Sequence, residues 1–145
     1  MDIPPPDTPI ACDLTDAPDT GPERLAEYRQ LFAVALLGRE RTRDGVRFRF
    51  RADPGIEPWV RDLAAREKAC CAFFAFAVTR VDGEVVWDAA VSDSEAAREI
   101  LEEFYALPDT DGDLDAFHDR LADRGLRFSA DPTGTIRRLR PAEPA

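Results

Sequence analysis

Glu67, Cys70 and Cys71 stand three and four residues apart in the stretch Arg66-Glu-Lys-Ala-Cys-Cys-Ala-Phe-Phe-Ala-Phe76. On a helix this spacing sets a carboxylate and two sulfurs on one side, about one turn apart. Two thiolates can hold a soft ion, and the third cysteine of the chain, Cys12, would complete a three-sulfur site. The ions that fit are zinc, copper(I), mercury(II) and arsenic(III). Glu67 is then a ligand, proton donor or proton acceptor, and His118 is a further candidate ligand. The same groups would equip an enzyme, with Cys70 or Cys71 attacking or binding the substrate and Glu67 moving the proton.

Two other readings of the same residues stay open. Adjacent cysteines bridge one another only through a strained eight-membered ring, so a thiol redox sensor would pair Cys12 with Cys70 or Cys71. In the third reading the cysteines are inert, because free cysteine packs as a small hydrophobe. The chain would then be a non-catalytic domain that binds a small ligand or a protein, with Trp59, Phe73, Phe74, Phe76 and Trp87 lining its core or an apolar pocket. A chain of this size folds without disulfides, and an odd count of three cysteines predicts reduced thiols at rest.

The helix that carries Glu67 is announced by Ile56, Trp59, Val60 and Leu63, after a break at Asp53-Pro54. Its apolar stripe runs on to Glu67, a carboxylate where a core residue was due. Burying that charge requires a partner, and Arg24, Arg29 and Arg47 are the candidates. Upstream, Thr20-Gly-Pro-Glu23 reads as a capping box, and Leu25, Tyr28, Leu31, Phe32, Ala35 and Leu36 give an amphipathic helix to about Gly38. Val46, Phe48 and Phe50 alternate with Arg47, Arg49 and Arg51, a strand with a solvated arginine face. Phe73 to Val81 and Glu84 to Val91 form a hairpin about Asp82-Gly83. Ser92-Asp-Ser-Glu95 reads as a second capping box, before a helix through Ala97, Ile100, Leu101 and Phe104. Leu114, Phe117, His118 and Leu121 suggest a last short helix.

These elements predict an α+β fold, a three-stranded antiparallel sheet covered by helices. An extended proline-rich arm occupies 1–19, a single domain 20–130 and a loose tail 131–145. The acidic run Asp109–Asp115 fails as a calcium loop, since Gly112 at its sixth position puts Leu107 first and His118 last. A net charge of −10 and a pI near 4.6 argue against nucleic acid as a partner, and an acidic surface repels anionic membranes. With no apolar run near the roughly 20 residues of a membrane span, the expected location is the cytoplasm and the expected partner a metal ion or small molecule.

The "IACDL", "EYRQLF" and "EKACCAFFAF" segments, followed by the hairpin and a capped helix, resemble small uncharacterised proteins of GC-rich bacteria that share an E-x-x-C-C-x-F-F motif and an upstream cysteine. The resemblance covers about residues 10–107 and implies that the three cysteines and Glu67 belong together. There is also a chemical similarity to organomercurial lyases, which use two cysteines and an acid, without a shared motif.

Overall fold

A computed structural model describes residues 1–10, 18–19, 21–109, 119, 126–130 and 136–141, the last two stretches as backbone. The chain runs α1 (Gly21–Ala35), β1 (Leu36–Arg41), β2 (Gly45–Arg51), α2 (Ile56–Cys70), β3 (Phe74–Val81), β4 (Glu84–Val91) and α3 (Glu95–Ala106), then a 3-10 turn (Leu107–Asp109). The strands β5 (Leu126–Ala130) and β6 (Ile136–Pro141) follow. The first four strands form one antiparallel sheet in the order β1-β2-β4-β3. The class is α+β as the periodicities predict, but this sheet has four strands and not three.

The added strand is Leu36–Arg41, part of which the apolar spacing assigns to the end of the first helix. The helix stops at Ala35, and Leu36-Leu-Gly-Arg-Glu-Arg41 extends beside β2 with a register slip between Leu36 and Gly38. Its arginines and glutamate suit an edge, where charge discourages pairing with another chain. A tight turn joins the two strands, with Thr42 N–H donating to the Gly45 carbonyl and Gly45 N–H donating to Thr42 Oγ1.

Alternation sorts the two faces of the sheet. Val46, Phe48 and Phe50 of β2, and Val85, Trp87 and Ala89 of β4, turn into the core, where Leu31, Val60, Leu63, Ile100 and Phe104 of the three helices meet them. Phe48 lies opposite Trp87, which lies opposite Val78. Trp87, Phe48 and Phe50 are fully buried, each worth about 2 kcal/mol of apolar transfer. On the other face Arg47 pairs with Asp88, and Arg49 with Glu84 and Glu40. The arginine row is therefore a face neutralised by acidic neighbours.

The Asp82-Gly83 hairpin forms as predicted, with φ of 52° and 78° at the two turn residues. Gly45 is required for a different reason, since a Cβ there would drive into the carbonyl oxygen of Ala89 on β4. Gly45→Ala should lower stability by roughly 1–3 kcal/mol, the range for overpacking a tight site. Urea unfolding checks this, and an unchanged midpoint would refute it.

The second cap differs from expectation. Ser94, not Ser92, caps α3, its Oγ accepting from Ala97 N–H at 3.0 Å. Ser92 is wholly buried, and its N–H donates to the Phe73 carbonyl at 3.0 Å, tying the end of β4 to the turn after α2. Strand β6 pairs antiparallel with β5, so the segment expected to be a loose tail contains a strand. The expected helix around Leu114, Phe117, His118 and Leu121 lies outside the described residues, apart from Asp119, which is helical. Among the described residues no helix is long and apolar enough to cross a membrane.

Candidate thiol site

Helix α2 ends between the two cysteines. Cys70 is its last residue, and Cys71 leaves the helical path with φ −124° and ψ 81° while its N–H still donates to the Glu67 carbonyl at 2.8 Å. Phe74 N–H then donates to the Cys71 carbonyl at 3.1 Å, turning the chain into β3. Lys68 Nζ donates to the carbonyls of Ala72 and Phe74, satisfying acceptors that the helix end leaves open. Lys68 is thus committed to backbone rather than to sulfur.

Arg24, on the first turn of α1, is the hub of the site. Its side chain is 5% exposed. Its Nε and Nη2 each donate to Asp19 at 2.7 Å, and Nη1 lies 3.2 Å from Glu67 Oε1. Its Nη2 also lies 3.9 Å from Cys70 Sγ. The Cys71 sulfur lies 3.8 Å from Glu67 Oε2. The cation of one ion pair therefore faces Cys70 while the anion faces Cys71.

The two sulfurs are in different states. Cys70 is a buried free thiol, and Cys71 is disulfide-bonded. This corrects the expectation that all three cysteines rest as reduced thiols. Because the helix ends at Cys70, Cys71 departs from the helical path and its sulfur is free to bond elsewhere. Cys12, the remaining cysteine, lies outside the described residues, as does His118. A sulfur in a disulfide is not a thiolate donor, and among the described residues no group of three His, Cys, Asp or Glu side chains is placed to hold an ion.

A second layer of charges holds the hub. Arg66 donates to Asp19 at 2.9 Å, to Glu27 at 3.0 Å and to Asp62 at 2.9 Å. Glu27 in turn accepts from Trp59 Nε1 at 2.7 Å. The hydrogen bond from Arg24 holds the Asp19 carboxyl below its ordinary range against the opposing effect of burial. The bond from Arg66 does the same for Glu27. Burial works against the Arg24 charge, but Asp19 and Glu67 outweigh it and raise its pKa. Burial pushes the Cys70 thiol up, opposed by Arg24, so at neutral pH the sulfur is protonated. Tyr28 is wholly buried in the field of Glu67; burial first, and that carboxylate second, raise its pKa, and its hydroxyl makes no hydrogen bond of acceptable geometry.

The acid side follows from these signs. Asp19 and Glu27 bind protons more weakly in the fold than in the unfolded chain, so their contribution is present above the unfolded values of 3.8 and 4.5 and is lost as pH falls through the lowered folded values. Stability should decline below about pH 4.5, and Asp19→Asn should flatten that decline. Urea unfolding at a series of pH values reads both; equal acid slopes in the two proteins would refute the assignment.

The aromatic residues singled out above belong mainly to the core. Phe74 and Phe76 stack with centroids 5.0 Å apart, Phe76 meets Trp87 at 5.4 Å, and Trp87 stacks on Tyr28 at 6.0 Å. Trp59 sits part-buried between α1 and α2, and Phe76 also lines a shallow groove with Ala64, Lys68 and Val78. The sequence reading missed Asp19, Tyr28 and the approach of Arg24 to a thiol. The available signal was that Arg24 continues the stripe of Tyr28, Leu31 and Ala35 by one turn, as Glu67 continues that of Val60 and Leu63. No protein-family model, curated protein or solved structure matches this chain.

Proposed function

We propose that this chain is a thiol-based redox protein whose working group is the Cys71 disulfide, closed by Cys12, with Cys70 as a reserve thiol. The observation that carries this reading is the pair of adjacent cysteines in different oxidation states on one Arg24–Glu67 ion pair. In a reducing compartment a disulfide is typically transient and either catalytic or redox-sensing. Reduction by a dithiol breaks the S–S bond, moves two electrons and two protons to the two sulfurs, and leaves the reductant as a disulfide. Glu67 Oε2 is close enough to the Cys71 sulfur to exchange a proton there directly or through one water.

Thiol counting tests the proposal. Iodoacetamide should leave the native, air-oxidised chain unlabelled over minutes, add one group after denaturation, and add three after denaturation with reductant. Three groups on denaturation alone would refute it.

The reduced form carries a second reading, as a soft-ion site. It is favoured by the convergence of Cys70, Glu67 and Cys71 at one helix end. Reduced protein titrated with zinc, copper(I), mercury(II) or arsenic(III) should retain one ion in native mass spectrometry. The oxidised protein and a variant with all three cysteines changed to serine should retain none. Equal retention by the triple variant would place the ion elsewhere.

A further inference from the structure

The two edges of the four-stranded sheet differ in character. β1 is guarded by Arg39, Glu40 and Arg41, whereas β3, at the other edge, is uncharged from Phe74 to Thr79. Pairing across the hairpin decides which of its backbone groups are used. Val81 lies opposite Glu84 at the turn, and the Phe73 carbonyl accepts from Ser92 N–H at 3.0 Å. The odd-numbered residues of β3 therefore exchange hydrogen bonds with β4, and the even-numbered ones turn their N–H and C=O groups outward. Phe74 is already served, its N–H donating to the Cys71 carbonyl at 3.1 Å and its carbonyl accepting from Lys68 Nζ at 2.6 Å. The outward backbone groups of Phe76, Val78 and Arg80 have no partner among the described residues, and this open set is centred on Val78. Beside it α2 presents the small side chains of Ala64 and Ala65, so a groove runs along the edge. Asp2 stands at its rim, and Met1 and Ile3 on either side of Asp2 remain about half exposed.

We propose that β3 is a dimer interface, pairing antiparallel with β3 of a second copy about a two-fold axis at Val78. Only this register matches all the open groups. Val78 meets Val78 and, on each side of the axis, Phe76 meets Arg80, so three residue pairs with two bonds each supply six main-chain hydrogen bonds. No like charges stand opposite one another. The same register carries Asp82 of each copy to Phe74 of the other, where Lys68 Nζ sits on main-chain carbonyls and in no ion pair among the described residues. This charge complementarity selects a second copy over a foreign strand, because one chain supplies both the anion and the cation at the spacing that a two-fold axis requires. The sheets join into one of eight strands, four from each copy, with the helices of both on one face. The interface lies beyond the redox reading of Cys71 and does not depend on it.

Sedimentation equilibrium of the full-length, oxidised protein tests the interface. Wild type should approach twice the 16.2 kDa chain mass as concentration rises, yet run as a single chain on a denaturing gel without reductant. Val78→Pro removes the N–H donor at the axis and spares the β3–β4 ladder, from which that N–H points away. It should weaken dimerisation about tenfold or more, two hydrogen bonds being lost per dimer. Asp82→Asn keeps the turn, for which Asn-Gly is favoured, and should weaken dimerisation severalfold by removing the pair with Lys68. A monomer at every concentration would overturn the proposal and leave the edge to a foreign strand or to the N-terminal residues. So would a dimer joined by an interchain disulfide, or one that folded Val78→Pro does not weaken. If Val78→Pro does not fold, Asp82→Asn decides: an unchanged dissociation constant overturns the proposal.

Discussion

Reduction should lower the unfolding free energy by about 4 kcal/mol, through the unfolded chain more than through any contact in the fold. A bond between Cys12 and Cys71 closes a loop of about 60 residues, for which the entropy removed from the unfolded ensemble is worth roughly 4 kcal/mol. Typical domains have only about 5–15 kcal/mol in hand, so the reduced protein should melt well below the oxidised one. Cys12→Ser without reductant should match reduced wild type, since both break the same loop. Cys70→Ser should leave the difference between oxidised and reduced protein in place, because Cys70 is a free thiol. Urea unfolding with and without a phosphine reductant reads all three comparisons. A midpoint unmoved by reductant, or a Cys12→Ser protein as stable as oxidised wild type, would remove Cys12 from the bond.

Local chemistry made most of the elements legible. The Asp82-Gly83 turn needs two residues at positive φ, which Asp and Gly supply, and strict alternation in Val46–Arg51 can belong only to a strand with one wet face. Strand β1 was hidden because Leu36 continues the spacing of α1 and Leu37 beside it is apolar too. Its remaining residues, Gly-Arg-Glu-Arg, have the polarity of an edge, and an edge strand is specified by its neighbour β2 more than by its own pattern. The cap at Ser94 was misplaced by two residues for a related reason. Only Ser92 has a glutamate three residues on, so the motif points to it, whereas Ser94 is followed at that spacing by Ala97; the tie of Ser92 to Phe73 takes it out of the cap and leaves Ser94 to fill it.

The site was half legible. A charge on an apolar helical stripe shows in a sequence, so Glu67 and its need for a cationic partner could be read in advance, with Arg24 one of three candidates and the structure choosing it. The oxidation state of Cys71 could not, because it depends on a partner distant in the chain. The convergence of Asp19 and Arg66 on the same hub is likewise tertiary: Arg66 precedes Glu67 by one residue and leaves α2 on another side, yet meets Arg24 through a carboxylate outside both helices.

That hub yields the second large effect. Arg24→Met should cost about 3 kcal/mol, at the lower end of the range for removing one partner of a buried ion pair. Asp19 keeps Arg66, but Glu67, with 16% of its side chain exposed, loses the guanidinium it pairs with, and Tyr28 then faces that carboxylate without the opposing charge. Arg24→Lys should recover only part of the loss, since one ammonium cannot span Asp19, Glu67 and Cys70 as the planar guanidinium does. Arg24→Met/Glu67→Leu should regain most of it, because replacing both charges by apolar groups of similar volume removes the desolvation problem along with the attraction. The double-mutant cycle by urea unfolding isolates the pair. A loss below about 0.5 kcal/mol for Arg24→Met would mean that the pair is solvent-screened and does not hold the thiol site together. A loss that Glu67→Leu fails to relieve would shift the role of Arg24 to its pair with Asp19, away from the counter-charge of Glu67.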